Sequence, residues 1–395
     1  MKIQSRTCFL WGVLVCLLLF SSQIQAQENR VIPGDEQTDA YLPLLKNQRV
    51  AIFSNHTGMI GEQHLLDVLL EKEVKVTAIF SPEHGFRGKA DAGEHVSSTK
   101  DAQTGVPILS LYDGKSKKPS AASMQQFDVL LVDIQDVGLR FYTYYISMCR
   151  LMDACAEHGR RMIILDRPNP NGHYVDGPVL DMKYKSGVGW LPIPVVHGMT
   201  LGELARMVNG EGWLPGKRVC ALTVIPCLNY NHQTLYRLPV APSPNLPNMK
   251  SIYLYPSICL FEGTPVSLGR GTALPFQVYG HPQMKGYDYS FTPRSVSGAK
   301  KPPLLNQRCY GVNLSTQSET EIREKGLDLS YVIDAYRNLK MGDRFFKPFF
   351  NLLIGNDTVR QMIQAGKSAE EIKASWQTEV EQFKKQRKPY LLYEE

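Results

Sequence analysis

Four segments in the first half of the chain share one pattern, an apolar run that stops abruptly in polar residues. They are RVAIFSNHTG at 49–58, VKVTAIFSPEHG at 74–85, FDVLLVDIQDVG at 127–138 and RMIILDRPNPNG at 161–172. Runs this short and this apolar read as strands buried on both faces. Helix-like stretches separate them, among them EQHLLDVLLEK and FYTYYISMCRLMDACAEHG, the latter closing at Gly159 in the manner of a C-cap. Strand and helix in alternation predict a Rossmann-like α/β domain with a parallel sheet covered on both sides. Ligands of such sheets bind beyond the carboxyl ends of the strands. Those ends carry Asn55 and His56, then Glu83 and His84, then Asp133, Gln135 and Asp136, then Asp166, Arg167 and Asn169. Any one group could be ordinary turn chemistry; four on one edge of a sheet point to a site.

Further along, MTLGELARMVNG reads as a capped helix, with Thr200 as N-cap and Glu203 three residues later. RVCALTVIPC reads as another strand. LPVAPSPNLPN at 238–248 is proline-rich in the manner of a domain junction. Beyond residue 248 the chain is dense in glycine, proline and aromatics and then turns helical, as in LSYVIDAYRNLK and SAEEIKASWQTEVEQFKKQ. The expected organisation is a leader over 1–26, a Rossmann-like catalytic domain over 27–245 and a smaller mixed α/β domain over 246–395, with the active-site cleft between the two.

The leader is read from Lys2 and Arg6, an apolar stretch and a small-residue end at Ala26, the pattern of a secretory signal peptide. Its removal implies export, to the periplasm, and leaves no segment apolar for long enough to cross a membrane. The formal charge of +6 falls slightly with Lys2 and Arg6, and no long basic run interleaved with aromatics suggests nucleic acid. Cys149, Cys155, Cys220, Cys227, Cys259 and Cys309 are too sparse for a disulfide scaffold and read mostly as buried thiols, and a strand between Cys220 and Cys227 holds these two apart.

Several chemistries are excluded by what the motifs lack. SNHTGMIGE after the first strand is not a dinucleotide fingerprint, no P-loop lysine occurs, and PVSLG lacks the first glycine of a nucleophile elbow. No cofactor is called for. His56, His84 and His95 near Asp91 and Glu94 could in principle gather round a metal, but no H-E-x-x-H is present and no metal is expected. Carboxylate chemistry remains. Glycoside hydrolysis needs an acid with a raised pKa to protonate the leaving oxygen. Glu83 follows a buried strand between Pro82 and Gly85, with Asp133 or Asp136 able to approach from a neighbouring strand end; the plainer role for Glu83 is an ion pair with Arg87. Arg87, Arg140, Arg167 and Arg270 each sit in or beside a glycine- or carboxylate-bearing motif, where a guanidinium suits an acidic ligand. Tyr142 is placed to face the site and Tyr145 to join the core.

Taken together, FSPEHGFRG, DAGE, DIQDVGLRFYTY, LDRPNPNG, DGPVLD, PIPVVHGMTLGELA, SPNLPN, and YPSICLFEGTPVSLGRGTALPFQVYGHP followed by FTP resemble the NamZ-like exo-β-N-acetylmuramidases, over about residues 49–293. The resemblance implies a Rossmann-like domain, a smaller C-terminal domain and a cleft between them. It implies release of N-acetylmuramic acid (MurNAc) from the non-reducing end of peptidoglycan fragments such as MurNAc-GlcNAc, with Glu83 as the catalytic carboxylate. Asp133, Asp136 and Glu262 are candidates for orienting or base roles, and His84 and His197 for hydrogen bonding. Arg140 and Arg270 are candidates for the lactyl carboxylate of MurNAc, and Asn55, Arg87, Gln135, Tyr142 and Asn169 for further substrate contacts. Whether the second group is a nucleophile, a base or the substrate's own acetamido group stays open. A non-catalytic periplasmic receptor for the same fragments and a metal-dependent hydrolase are the competing readings.

Overall fold

The computed structural model describes residues 30–82, 86, 99–111 and 118–395. Seven strands form the first sheet: β1 (Val50–Ser54), β2 (Val76–Ser81), β3 (Thr99–Lys100), β4 (Pro107–Ser110), β5 (Val129–Asp133), β6 (Arg161–Leu165) and β7 (Ala221–Ile225). Their order across the sheet is β3-β4-β2-β1-β5-β6-β7. Six run parallel, and only the short edge strand β3 is antiparallel to its neighbour. From β1 the chain builds outward through β2 to β4, then crosses back and builds the other way from β5. The two halves meet between β1 and β5, in register from Val50↔Val129 to Ser54↔Asp133. That junction is where the loops leaving adjacent strands diverge and open a crevice.

Every residue of β1 and β5 is buried, because alternate side chains enter two different cores. Ala51, Phe53, Phe80, Leu130, Val132 and Ile164 pack with α4 (Tyr144–His158) and α5 (Leu201–Gly210). Val50, Ile52, Ile79, Leu131 and Ile163 pack with α1 (Thr38–Leu45) and α2 (Leu65–Glu71) on the opposite face. A fifth helix, α3 (Ala121–Met124), precedes β5. The expected caps are present. Thr200 and Glu203 form a reciprocal capping box on α5, and Gly159 ends α4 at φ 63°, where a side chain would be strained. Helix α4 starts three residues later than its apolar pattern suggests, because Phe141–Thr143 form a turn ahead of it.

The second region begins with α6 (Met249–Ile258), capped by Asn248 and Ser251 at the end of the proline-rich junction. It holds a three-stranded antiparallel sheet, β8 (Val278–His281), β9 (Tyr289–Phe291) and β10 (Cys309–Asn313), in the order β8-β10-β9, followed by a helical tail. This mixed α/β unit does not stand apart. Trp376 Nε1 donates to Asp176 Oδ1 at 2.9 Å, and Tyr393, near the end of the chain, donates to Asp166 at the end of β6. All six cysteines in the described residues are buried free thiols. No helix among the described residues is long and apolar enough to cross a membrane.

Candidate active site

The crevice is built from the ends of β1, β5 and β6. Asn55, one residue past β1, folds its loop by accepting from the Thr57 amide (3.0 Å) and hydroxyl (2.7 Å). The Thr57 hydroxyl in turn accepts from the Gln135 amide at 3.0 Å. Gln135 then spans to the next loop, donating through Nε2 to the Asp136 and Pro168 carbonyls, each at 2.8 Å. Beneath these bonds Arg167 bridges two buried acids, Asp133 at 2.5 Å and Asp35 at 2.6 Å. Burial, and then the nearby charge of Asp133, pushes the Asp35 carboxyl up to about 7. Gly58 is required here, since a Cβ would lie 2.8 Å from Asp133 Oδ2.

The second region contributes Tyr255, Glu262, Arg270 and Phe276 to the lining of a cavity of about 110 Å³. From the first region come Tyr142 and Tyr144. Both hydroxyls donate to the Pro242 carbonyl, at 2.8 and 3.4 Å, and Tyr144 also accepts from Asn55 Nδ2 at 3.0 Å. Tyr142 packs edge-on against Tyr144 and Tyr255, and Tyr255 against Phe276, giving a continuous aromatic wall. Arg270 and Glu262 complete it. The Arg270 guanidinium lies 4.9 Å from the Phe276 ring centre and donates through Nη2 (2.7 Å) and Nε (3.1 Å) to Glu262 Oε1. Burial opposes the Arg270 charge, but the carboxylate beside it more than compensates and raises its pKa.

Three of the motifs quoted from the sequence, DIQDVGLRFYTY, SPNLPN and YPSICLFEGTPVSLGRGTALPFQVYGHP, thus contribute to one cavity, and the comparisons with known proteins cover most of the chain. Family models described as exo-beta-N-acetylmuramidase NamZ match in two parts, the N-terminal model over residues 50–250 and the C-terminal model over 253–393. The chain belongs to the NamZ family. It is 39% identical over 373 residues to the peptidoglycan beta-N-acetylmuramidase NamZ of Bacillus subtilis (strain 168), covering 89% of each chain. Among solved structures it is similar to a DUF1343 family protein of Bacteroides fragilis NCTC 9343, with a TM-score of 0.88 and 72% identity over 93% of this chain and 99% of that one. A second DUF1343 family protein of that organism matches at a TM-score of 0.77 and 27% identity, over 93% and 100% of the two chains.

Within this NamZ-family fold the residues singled out from sequence divide into three groups. Tyr142, Glu262 and Arg270 line the cavity, with Asn55 one hydrogen bond behind it. A second group is structural in its contacts. Arg140 is fully buried and donates to four carbonyls, those of Pro178, Ile193, Leu353 and Ile354, so it does not reach the cavity. Asn169 donates to the Met199 carbonyl and accepts from the Asn171 amide. His197 accepts from the Met199 amide, and burial, with Arg387 and Arg140 nearby, holds it down to about 3, so the ring is neutral at ordinary pH. Asp136 accepts from the Gly138 amide at 2.7 Å and faces a closed void of about 10 Å³ beside Pro168 and Met199. Asp133 is held by Arg167 as described. The third group, Glu83, His84 and Arg87, lies outside the described residues, as do Asp91, Glu94 and His95; the described chain reaches Pro82, directly after β2 and beside β1. His56, from the metal set considered above, is 2.9 Å from the Ala241 carbonyl through Nε2. Ser243, Asn245, Tyr255 and Phe276 also line the cavity. All four were visible as parts of motifs, but the approach of Tyr255 to Tyr142, and of Phe276 to Tyr255, depends on how the second region folds back.

Proposed function

We propose that this protein is an exo-acting glycoside hydrolase that releases MurNAc from the non-reducing end of peptidoglycan fragments, with MurNAc-GlcNAc as its simplest substrate and Glu83 as the catalytic carboxylate. The observation that carries the reading is the NamZ-family match through both regions, whose motif residues Tyr142, Glu262 and Arg270 meet in one cavity. Asn55, directly after β1, bonds to Tyr144 in the cavity lining, and β2, which precedes Glu83 in the sequence, is a neighbour of β1. Glycoside hydrolysis needs an acid to protonate the leaving oxygen, and that is the role proposed for Glu83. The leader-like N-terminus fits an enzyme that works in the periplasm on cell-wall material, with domains divided at about residue 245.

The test is release of free MurNAc from MurNAc-GlcNAc by purified protein, wild type beside Glu83→Gln, with and without EDTA. Release by the wild type in EDTA that disappears in the variant is the expected result. Disaccharide bound but never cleaved by the wild type would instead make the protein a receptor.

A further inference from the structure

The ion pair in the cavity wall is incomplete. Both guanidinium nitrogens that Arg270 has in use, Nε and Nη2, share one oxygen of Glu262. Among the described residues Nη1 makes no hydrogen bond, and neither does Glu262 Oε2. The two side chains are 19% and 26% exposed, and both line the cavity. Arg270 is the one cation among the described residues of the lining, which is mixed: Leu246, Tyr255 and Phe276 give it apolar surface, and Ser243, Asn245 and Glu262 polar surface. The guanidinium cannot swing freely, since Glu262 fixes its edge and Phe276 covers its face.

A pre-organised donor of this kind suits an anion. The Arg270–Glu262 pair is net neutral, so what it offers a ligand is a directed N–H donor with no surplus charge, which suits one carboxylate better than a dianion such as phosphate. The apolar part of the lining, Leu246, Tyr255 and Phe276, adds a second requirement, an alkyl group close to the acid. Glu262 Oε2 adds a third, a hydroxyl or amide N–H from the same ligand. The 3-O-lactyl ether of MurNAc has its methyl and carboxylate on one carbon, and it is flanked on the ring by an acetamido N–H and a 4-hydroxyl. GlcNAc has the flanking donors but neither the acid nor the methyl.

We propose that Arg270, held by Glu262 and Phe276, receives the lactyl carboxylate and is the residue that makes this cleft select MurNAc over GlcNAc. The inference rests on the function proposed above and names the group that sets its specificity. Arg140, the other arginine considered for this contact, is fully buried with Nη1 and Nη2 on four backbone carbonyls, and it does not line the cavity. A site built to hydrogen-bond a substrate group discriminates against the analogue that lacks it, because its own polar atoms are then left unpaired.

The experiment compares kcat/KM on three 4-nitrophenyl β-glycosides, those of MurNAc, of MurNAc with its lactyl acid as the methyl ester, and of GlcNAc. The wild type is expected to favour MurNAc over the ester by about 30-fold or more, the effect of removing one partner from a desolvated charged hydrogen bond. Arg270→Met is expected to lose that preference, the ratio of MurNAc to ester turnover falling to about one whatever happens to the separate rates, with circular dichroism showing that the variant is folded. Arg270→Lys is expected to fall between. Equal turnover of acid and ester by the wild type overturns the proposal without any variant, and so does an Arg270→Met protein that keeps the preference. Failure of the wild type to cleave any of the three would overturn the hydrolase reading itself, a distinct result.

Discussion

The side-chain amide of Asn55 donates to the Tyr144 hydroxyl at 3.0 Å, and this bond ties the loop leaving β1 to the first residue of α4 at the cavity wall. Asn55 also folds the loop that carries Thr57, and Thr57 receives the Gln135 amide, so three strand ends are positioned through one buried side chain. Tyr144→Phe is therefore expected to cost about 1–3 kcal/mol, the penalty of a buried donor left unsatisfied, and to lower kcat/KM on MurNAc-GlcNAc by about tenfold through misplacement of the crevice loops. Urea unfolding and steady-state kinetics read the two effects. A stability change below half a kcal/mol, taken here as about the scatter of surface substitutions, would show that the bond contributes little.

Arg140 and Arg270 should respond in opposite ways. Arg140 has four carbonyl partners and no acid among them, and burial lowers its pKa to about 10. Two partners, Leu353 and Ile354, belong to the second region, so this side chain fastens the regions together. Arg140→Met leaves those carbonyls buried without donors and is expected to destabilise by about 3 kcal/mol or more. The folded fraction should keep its choice between MurNAc and the lactyl ester. Denaturant midpoints together with that substrate ratio decide the point, and a changed ratio at unchanged stability would place Arg140 at the substrate after all.

These two arginines also mark what could be read from the chain and what could not. The parallel sheet was legible because β1 and β5 are buried on both faces and so lack alternation, and the ends of α4 and α5 were legible because Gly159, Thr200 and Glu203 are local signals. The polar strand ends were legible as a group for the same reason. Partners were not. Arg140 stands in a motif that resembles a ligand site, yet its acceptors are backbone carbonyls up to 214 residues away, and a carbonyl has no sequence signature. Tyr255 and Phe276 stood in motifs quoted from the sequence, but only the return of the second region brings Tyr255, with Phe276 packed on it, against Tyr142. Asp166 read as one more polar strand end, whereas its partner Tyr393 is 227 residues on.

That last contact gives a prediction away from the cavity. The Tyr393 hydroxyl donates to Asp166 Oδ2 at 2.6 Å and accepts from the Cys227 amide at 2.9 Å, closing the ends of β6 and β7. Tyr393→Phe removes a charge-assisted bond and strands a backbone donor, which together should cost about 2–3 kcal/mol. Turnover per folded molecule should stay within about twofold of wild type, since Tyr393 is not among the residues lining the cavity. Thermal unfolding and active-site-normalised rates measure both. A large loss of turnover at full stability would contradict this separation.

Asp136 should make stability depend on pH in a direction opposite to the usual surface carboxylate. Its Oδ2 has no partner among the described residues, and burial pushes its carboxyl from 3.8 to about 7. An acid with a raised folded pKa binds its proton more tightly in the native state, so its contribution is intact below about pH 4 and is lost as pH rises through 7. Asp35, at about 7, and Asp166, at about 6, act with the same sign. His197 acts with the other sign, because a buried neutral imidazole at about 3 loses stability as pH falls below 6.5. These opposing groups obscure the trend in the wild type, but they cancel when it is compared with Asp136→Asn. The asparagine keeps an acceptor for the Gly138 amide and cannot ionise. The variant is expected to match the wild type at pH 4 and to exceed it progressively to pH 8, by up to about 4 kcal/mol for a three-unit shift. Urea unfolding of both proteins at each unit of pH provides the measurement, and a difference that stays flat from pH 4 to 8 would mean that Asp136 is already ionised in the fold.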